Sequence, residues 1–202
     1  MHYISQRHDS LGALGPSRGK IILLRRFDNP SDNLPPGTAI EPTLPGIHLS
    51  PSVWPDNAKT GFSLLYNPGL NLSAQIEDYY EPNDLPDGST AAENVDAKIE
   101  AVEGNLRLAA ARGGDRKEGE RLFITFTSAE NNANRPAVTP NIMALGNGTV
   151  LTPDGGVNGR LVREVFPTLR GKVLGVLVID FWDELSLEGG EEGDVVGAFL
   201  DM

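Results

Sequence analysis

Three continuous apolar runs constrain the fold of this 202-residue chain more than any other feature of its sequence. They lie at residues 20–27, 121–127 and 172–181, and a fourth, weaker run lies at residues 72–80. Apolar runs without polar alternation are typical of parallel strands that are covered on both faces. The sequence therefore predicts four strands of a buried, parallel sheet.

One long helix is predicted between the strands at residues 72–80 and 121–127. Within residues 91–112, apolar side chains recur at helical spacing from Val95 to Leu106. Thr90 and Glu93 have the spacing of a capping box, which would satisfy backbone N–H groups at the start of this helix.

Strands and helices alternate in the predicted order, which indicates parallel strand–helix units. A second helix is predicted at residues 157–166, and a short amphipathic segment at residues 194–202. Residues 28–71 are rich in Pro and Gly and are predicted to form a long loop. We expect one domain over residues 1–202. Because a complete barrel of this type has eight strands, the sheet is predicted to be either open or part of a larger one.

The charge of the chain excludes several classes of partner. Lys and Arg number 17 against 28 Asp and Glu, which gives a net charge of -11. A general nucleic-acid binder needs a basic face, so no nucleic-acid partner is expected, and tight electrostatic docking on an anionic membrane is disfavoured. The sequence has no cysteine, which excludes a disulfide framework, a thiolate metal site and a thiol nucleophile.

Neither a membrane span nor a signal peptide is predicted. No run approaches the roughly 20 apolar residues of a spanning helix, and residues 1–10 lack the apolar core of a signal peptide. The sequence leaves the localisation of the protein open.

Polar side chains follow each predicted strand at its carboxyl end. They are Arg25 or Arg26, Asp78, Tyr80, Thr127, Ser128 and Asp180. Since side chains alternate across a strand, only one of the two arginines can face the sheet's ligand edge, and the other can remain in water. Carboxylates, a guanidinium fork and a flat aromatic ring together suit a neutral polyol such as a sugar. Each residue taken singly also has a structural interpretation, as a solvated side chain or a cap.

Five segments resemble the bacterial and fungal phosphatidylinositol-specific phospholipase C family. They are RGKIILLRRF (18–27), VWPDN (53–57), IEDYY (76–80), LFITFTSA (122–129) and GVLVIDF (175–181), and they occur in the family's order. The resemblance implies the C-terminal half of the catalytic X domain. The fold class expected from it is α/β, as the C-terminal half of a distorted TIM (β/α)8 barrel of the PLC-like phosphodiesterase type. The N-terminal half of that barrel has no counterpart, which predicts a truncated chain.

The resemblance assigns roles to four of the strand-end residues. Arg26 matches the arginine that hydrogen-bonds the inositol hydroxyls, and Arg25, of opposite parity, is expected to face outward. Asp78 matches the aspartate that holds inositol hydroxyls, and Tyr80 matches the tyrosine on which the ring stacks. Asp180 matches the aspartate that orients a general-base histidine.

The family's reaction is the attack of the inositol 2-hydroxyl on phosphorus, which releases diacylglycerol. One histidine takes the hydroxyl proton, a second protonates the leaving group, and an arginine stabilises developing charge. The resemblance implies no metal and no other cofactor. Both histidines and that arginine belong to the half that is missing.

Two positions depart from the family pattern. Glu77 stands where relatives often have Gln. His8, in the sequence His8-Asp9-Ser10, echoes the residues around the family's first catalytic histidine, but the same stretch also aligns with the segment just before Arg18. Both interpretations of His8 stay open.

Three hypotheses follow. The first is a phosphatidylinositol-specific phospholipase C-like phosphoric diester hydrolase, which acts on an inositol phospholipid at a transiently bound membrane surface and is weak or inactive as this chain. The second is a non-catalytic module that binds inositol or another polyol through Arg26, Asp78 and Tyr80. The third is a fragment that self-associates or needs a partner half, because an open half-barrel exposes strand edges.

Overall fold

The structure is a computed structural model that describes residues 18–28, 46–112, 121–147, 150–184 and 195–200. Along the described ranges, four strands come first, and helices and strands follow. They are β1 (Leu24–Arg25), β2 (Ile47–His48), β3 (Phe62–Asn67), β4 (Leu72–Glu77), α1 (Ala91–Arg112), β5 (Leu122–Phe126), α2 (Pro140–Leu145), α3 (Val157–Arg160), β6 (Val176–Val178) and α4 (Val195–Leu200). The fold is therefore mixed α/β, and the described strands close no barrel.

The described strands form two sheets. β1 and β2 pair in parallel, with Arg25 opposite His48. The other strands form one sheet in the order β3-β4-β5-β6, and β5 and β6 are parallel with Phe126 opposite Val178. Residues 68–71, which join β3 to β4, are too few for a parallel crossover, so these two strands form an antiparallel hairpin. The parallel prediction is confirmed for β5 and β6, and the hairpin strand β3 was not predicted.

The chain divides into two compact units. The described residues of the first unit are 18–28, 46–56, 63–75 and 121–122. Those of the second unit are 57–62, 76–112, 123–147, 150–184 and 195–200.

In the first unit, the apolar run at residues 20–27 forms less strand than the sequence predicts. Within this run, the described structure has a strand only at Leu24–Arg25, and the side chain of Ile21 is 65% exposed. A two-residue parallel pair covers little of the run, so the prediction of a buried strand over the whole of residues 20–27 is wrong in its extent.

The predicted loop at residues 28–71 contains regular structure. Besides β2 and β3, it includes short 3-10 turns at Pro51–Val53 and Pro68–Leu70, while residues 29–45 lie outside the described residues. Each of these turns begins with proline, whose fixed φ suits the first position of a helical turn. Pro51 and Pro68, which contributed to the prediction of a loop, thus mark where short 3-10 turns begin.

The second unit is organised around α1. This helix spans Ala91–Arg112, which confirms the prediction. Its capping box is present: the Glu93 N–H donates to the Thr90 hydroxyl over 3.2 Å, and the Thr90 N–H donates to the Glu93 carboxylate over 2.7 Å. Apolar residues of α1 pack with other buried side chains of this unit in one core, which includes Val95, Ile99, Val102, Leu106, Met143, Leu161, Phe166 and Leu174.

The second predicted helix is helical but not uniform. α3 is followed by a π-helical turn at Leu161–Val165 and a 3-10 turn at Phe166–Leu169. Pro167 has no N–H to continue an α-helical ladder, which accounts for the change of winding. The last strand, β6, is shorter than the predicted span of residues 172–181.

Glycine is required where two parallel strands begin. Gly46 (φ 110°) precedes β2, and a Cβ there would lie 2.3 Å from the Leu23 carbonyl oxygen. Gly175 (φ 87°) precedes β6, and a Cβ there would lie 2.5 Å from the Phe123 carbonyl oxygen. Only glycine combines positive φ with so close an approach to a neighbouring backbone. The glycine of the GVLVIDF segment is thus explained by strand pairing.

None of the helices in the described ranges has both the length and the apolar character that crossing a bilayer requires.

Candidate functional site

The chain that leaves β4 alternates between fully buried and more accessible side chains. In the second unit, Glu77 is 0% and Tyr79 1% exposed, whereas Asp78 is 8% and Tyr80 36% exposed. Successive side chains of extended backbone point to opposite sides. Asp78 and Tyr80 therefore share one side, and Glu77 and Tyr79 share the other, where Glu77 meets Lys98 of α1.

Donors from elsewhere in the second unit hold the backbone that follows. They bind four successive carbonyl oxygens of the 77–82 segment: Lys98 Nζ to Tyr79 (2.8 Å), Glu130 N–H to Tyr80 (2.8 Å), Asn57 Nδ2 to Glu81 (2.6 Å) and Asn131 Nδ2 to Pro82 (3.3 Å). Each of these hydrogen bonds gives a backbone carbonyl a fixed donor within the protein in place of water. The 77–82 segment is consequently fixed at residue after residue.

Asn57 explains part of the VWPDN motif. Its backbone is left-handed (φ 46°), a conformation that asparagine tolerates better than most residues. Its side chain forms hydrogen bonds with both backbone groups of Glu81: Nδ2 donates to the Glu81 carbonyl, and Oδ1 accepts from the Glu81 N–H over 2.8 Å. The sequence marked this motif as specific but did not indicate that Asn57 supports the chain next to Tyr80.

A buried ion pair lies beneath the same segment. Lys98 Nζ and Glu77 Oε1 are 2.8 Å apart, and both side chains are fully buried. Glu77 Oε1 also accepts from the Tyr79 N–H over 3.0 Å, while Oε2 is buried and has no hydrogen-bond partner among the described residues. Burial raises the pKa of Glu77 and lowers the pKa of Lys98, because loss of water penalises both charged forms.

Sequence reasoning missed Lys98. It lies between Val95 and Val102 on the buried side of α1, where it is the one charged residue among the buried residues of this helix. A charged residue on a core-facing stripe is the signal that could have identified it, since such residues are buried only when they are paired.

Tyr79 is anchored at its hydroxyl as well as its backbone. The hydroxyl donates to the Asp84 carboxylate, which also forms an ion pair with Lys59. Hydrogen bonds from Lys59 and Tyr79 lower the pKa of Asp84, and burial raises the pKa of Tyr79.

The ends of β5 and β6 lie at the same hydrogen-bonded edge of the second unit. The N–H and the hydroxyl of Thr127 both donate to the Val178 carbonyl, over 2.9 and 3.2 Å. Asn158 Nδ2 donates to the backbone carbonyl of Asp180 over 2.8 Å, and the Asp180 side chain is half-buried. With the bond from Glu130 to Tyr80, these contacts join the segment that follows β5 to the end of β6 and to the segment that follows β4, while Asn158 ties the segment that follows β6 to α3.

The two arginines lie in the first unit, and their burial is the reverse of the predicted one. Arg26 is exposed, and its guanidinium carbon is 4.3 Å from the centroid of the Trp54 ring, a cation–π contact. Arg25 is only 3% exposed, so the prediction that Arg25 faces outward into water is wrong. The reason is that β1 ends at Arg25, whose carbonyl accepts from the Leu49 N–H beside β2, whereas Arg26 lies past the paired strand.

The structure describes one of the three histidines of the sequence. His8 lies outside the described residues. His48 is the one histidine within them, and its Nε2 is 3.0 Å from Asp28 Oδ1 in the first unit. No three His, Cys, Asp or Glu side chains of the described ranges are grouped as a metal site would require.

Comparison with known proteins finds similar solved structures but no matching sequence family. No family model matches the chain, and no curated protein matches it. Three solved structures of phosphatidylinositol-specific phospholipase C from Staphylococcus aureus are each similar to 73% of the chain. A mutant form has a TM-score of 0.49 and 19% sequence identity, and a form that incorporates pentafluoro-Phe has a TM-score of 0.48 and 19% identity. The third, from work on the modulation of membrane binding, has a TM-score of 0.43 and 20% identity. The chain spans 38% of the length of each of these proteins.

Proposed function

We propose that the second unit carries part of a binding site for the inositol headgroup of an inositol phospholipid, in a phosphatidylinositol-specific phospholipase C-like phosphoric diester hydrolase. The observation that supports this most is the fixed backbone of the 77–82 segment, which carries Asp78 and Tyr80 on one side. A segment that is already ordered loses little conformational entropy when a ligand binds.

Asp78 and Tyr80 have complementary chemistry for a cyclic polyol. The Asp78 carboxylate accepts hydrogen bonds from vicinal hydroxyls, and the part-exposed Tyr80 ring offers an apolar surface to the C–H face of the ligand. The motif IEDYY, which resembles that of the phospholipase family, supplies the identity of the polyol as inositol.

Asp180 is proposed to orient the general base of the reaction. It follows β6 in the GVLVIDF segment, and Asn158 holds its backbone carbonyl. Cleavage of the phosphodiester needs a base that takes the proton of the inositol 2-hydroxyl and an acid that protonates the diacylglycerol oxygen. Catalysis by the chain alone thus depends on a histidine beside Asp180, and His8 is a candidate under one of its two open interpretations.

Arg26 is proposed as a further ligand of the inositol hydroxyls, on the resemblance of the RGKIILLRRF segment. The contact with Trp54 holds its guanidinium at the surface of the first unit. Arg26→Ala is expected to abolish inositol binding with little change in the melting temperature. Arg26→Lys keeps the charge but loses the planar fork, and is expected to weaken binding too. Unchanged affinity in both variants would remove Arg26 from the site.

Calorimetric titration with myo-inositol tests the central part of the proposal. Asp78→Asn and Tyr80→Leu are each expected to weaken binding about tenfold or more, since each removes a direct ligand contact. Asp87→Asn is the matched control, because it removes an exposed carboxylate elsewhere in the second unit. Equal affinity of the Asp78 and Asp87 variants would refute the assignment.

A non-catalytic inositol-binding module is the second candidate. It is favoured by the resemblance, in which both catalytic histidines belong to the half of the barrel that has no counterpart in this sequence. Phosphorus NMR of the chain incubated with phosphatidylinositol in detergent separates the two candidates. Inositol cyclic phosphate as a product supports the hydrolase, and inositol binding without a product supports the module.

A further inference from the structure

We infer that Lys98 and Glu77 are positioning residues that set the geometry between Asp78 and Tyr80. The inference concerns residues that the proposed reaction does not use; the sequence did not single out Lys98, and it marked Glu77 only as a departure from the family pattern. It rests on the proposed function for the identity of the ligand, whereas the positioning itself is a property of the chain.

The buried pair holds both peptide groups that link Asp78 to Tyr80. Glu77 Oε1 accepts from the Tyr79 N–H over 3.0 Å, which fixes the peptide between Asp78 and Tyr79. Lys98 Nζ donates to the Tyr79 carbonyl over 2.8 Å, which fixes the peptide between Tyr79 and Tyr80. The 2.8 Å bond between Lys98 and Glu77 joins the two supports into one unit. A rotation of either peptide would turn Asp78 and Tyr80 relative to each other.

Stability alone does not account for a charged pair at this place. Both side chains are fully buried, and replacing a buried ion pair by apolar residues of similar volume is often neutral or stabilising. Val95 and Val102, which lie about one turn before and after Lys98 on α1, are buried and apolar, so a Met or Leu would suit this position. An apolar side chain, however, cannot donate to the Tyr79 carbonyl. The pair therefore contributes a defined backbone geometry that a purely apolar contact would not provide.

The backbone of the 77–82 segment beyond Tyr79 has supports of its own. Glu130 holds the Tyr80 carbonyl, and Asn57 holds both backbone groups of Glu81. Loss of the Lys98 support is therefore expected to disturb the backbone locally at Tyr79 and Tyr80 rather than to release the whole segment.

The test uses the double variant Glu77→Gln, Lys98→Met. Gln keeps an acceptor for the Tyr79 N–H and matches Glu in size, and Met fills the place of Lys98, so the variant leaves no buried charge and is expected to fold. Asn105→Leu is the matched control. Asn105 is also a buried polar residue of α1, but it donates to the Ile124 carbonyl (3.1 Å) and the Thr125 hydroxyl (2.8 Å) on β5.

Two readouts are compared for the full chain. The first is the set of backbone amide signals in a nitrogen–proton correlation spectrum, and the second is the dissociation constant for myo-inositol. In the double variant the Tyr80 amide, which belongs to the same peptide as the Tyr79 carbonyl, is expected to move most, and the inositol affinity is expected to fall about tenfold. In Asn105→Leu the signals near Thr125 move, while the Tyr80 amide and the affinity stay unchanged.

The outcomes distinguish this inference from the proposed function. An unchanged Tyr80 amide in a folded double variant overturns the positioning role, and so does a shifted amide with unchanged inositol affinity. If the wild-type chain binds no inositol, the proposed function fails, and the amide signals alone then decide whether Lys98 and Glu77 position the segment.

Discussion

Replacing Lys98 alone by Met is expected to destabilise the protein far more than replacing Lys98 and Glu77 together. Met has nearly the length of Lys, so the substitution leaves little cavity. What it removes is the only cation within hydrogen-bond distance of Glu77 among the described residues. Glu77 Oε1 would keep the Tyr79 N–H, and Oε2, already without a hydrogen bond in the described structure, would lie in a fully buried, uncompensated carboxylate.

The expected magnitude follows from what each variant leaves behind. Breaking a buried pair by removing one partner costs about 3–5 kcal/mol in the free energy of unfolding. In the double variant Glu77→Gln, Lys98→Met no charge remains, and the loss is the unsatisfied Tyr79 carbonyl, about 1–2 kcal/mol. The single variant is thus expected to be less stable than the double variant by roughly 2–3 kcal/mol.

Urea denaturation followed by far-ultraviolet circular dichroism at several pH values measures these free energies. Burial raises the pKa of Glu77 already in the wild type, and the loss of Lys98 raises it further. A folded-state pKa above the unfolded value favours the protonated folded chain. The deficit of Lys98→Met relative to the wild type should therefore grow as the pH rises past the folded-state pKa of Glu77 in the wild type, towards its higher value in the variant. Equal deficits in the single and double variants, or a deficit independent of pH between about 4 and 7, would refute the reasoning.

Three further predictions test separate features. Thr90→Ala removes one half of the capping box of α1 and should lower the free energy of unfolding by about 1 kcal/mol in a urea titration; an unchanged midpoint would contradict the role of the cap. Gly175→Ala should cost at least about 2 kcal/mol by the same assay, because a Cβ would meet the Phe123 carbonyl at positive φ, and a neutral substitution would show that the strand entry tolerates other residues. Asp84 has a lowered pKa, so its contribution to stability is present above the unfolded value of about 4 and is lost as the pH falls through the folded value. The stability difference between wild type and Asp84→Asn should shrink in acid, and a constant difference would count against the contacts with Lys59 and Tyr79.

The sequence predicts α1 and β5 well because their signals are local. The helix combines an apolar period with the capping box of Thr90 and Glu93, and β5 is a compact apolar run. Local signals fail at β1, where the apolar run is present but the strand covers only Leu24–Arg25 in the described structure. The hairpin strand β3 was missed because prolines and glycines surround it and obscure its short alternation.

The site was predictable in its residue types and not in its supports. Position along a strand indicated that Asp78 and Tyr80 share a side, but not which residues fix them. Lys98 and Asn57 act through backbone groups that are distant in sequence, and such pairings arise only when the chain is folded. The burial of Arg25 likewise depends on contacts with β2, which no alternation rule within the RGKIILLRRF segment contains.

The most direct measurement of the central claim is a titration of the nitrogen-labelled chain with myo-inositol, followed in the amide correlation spectrum. The account predicts saturable shifts concentrated at Asp78 and Tyr80 and at the neighbouring ends of β5 and β6. These shifts should need at least about tenfold more inositol to saturate in Asp78→Asn and should be unchanged in Asp87→Asn. Absence of saturable shifts, or shifts confined to other parts of the chain, would contradict an inositol site on the 77–82 segment.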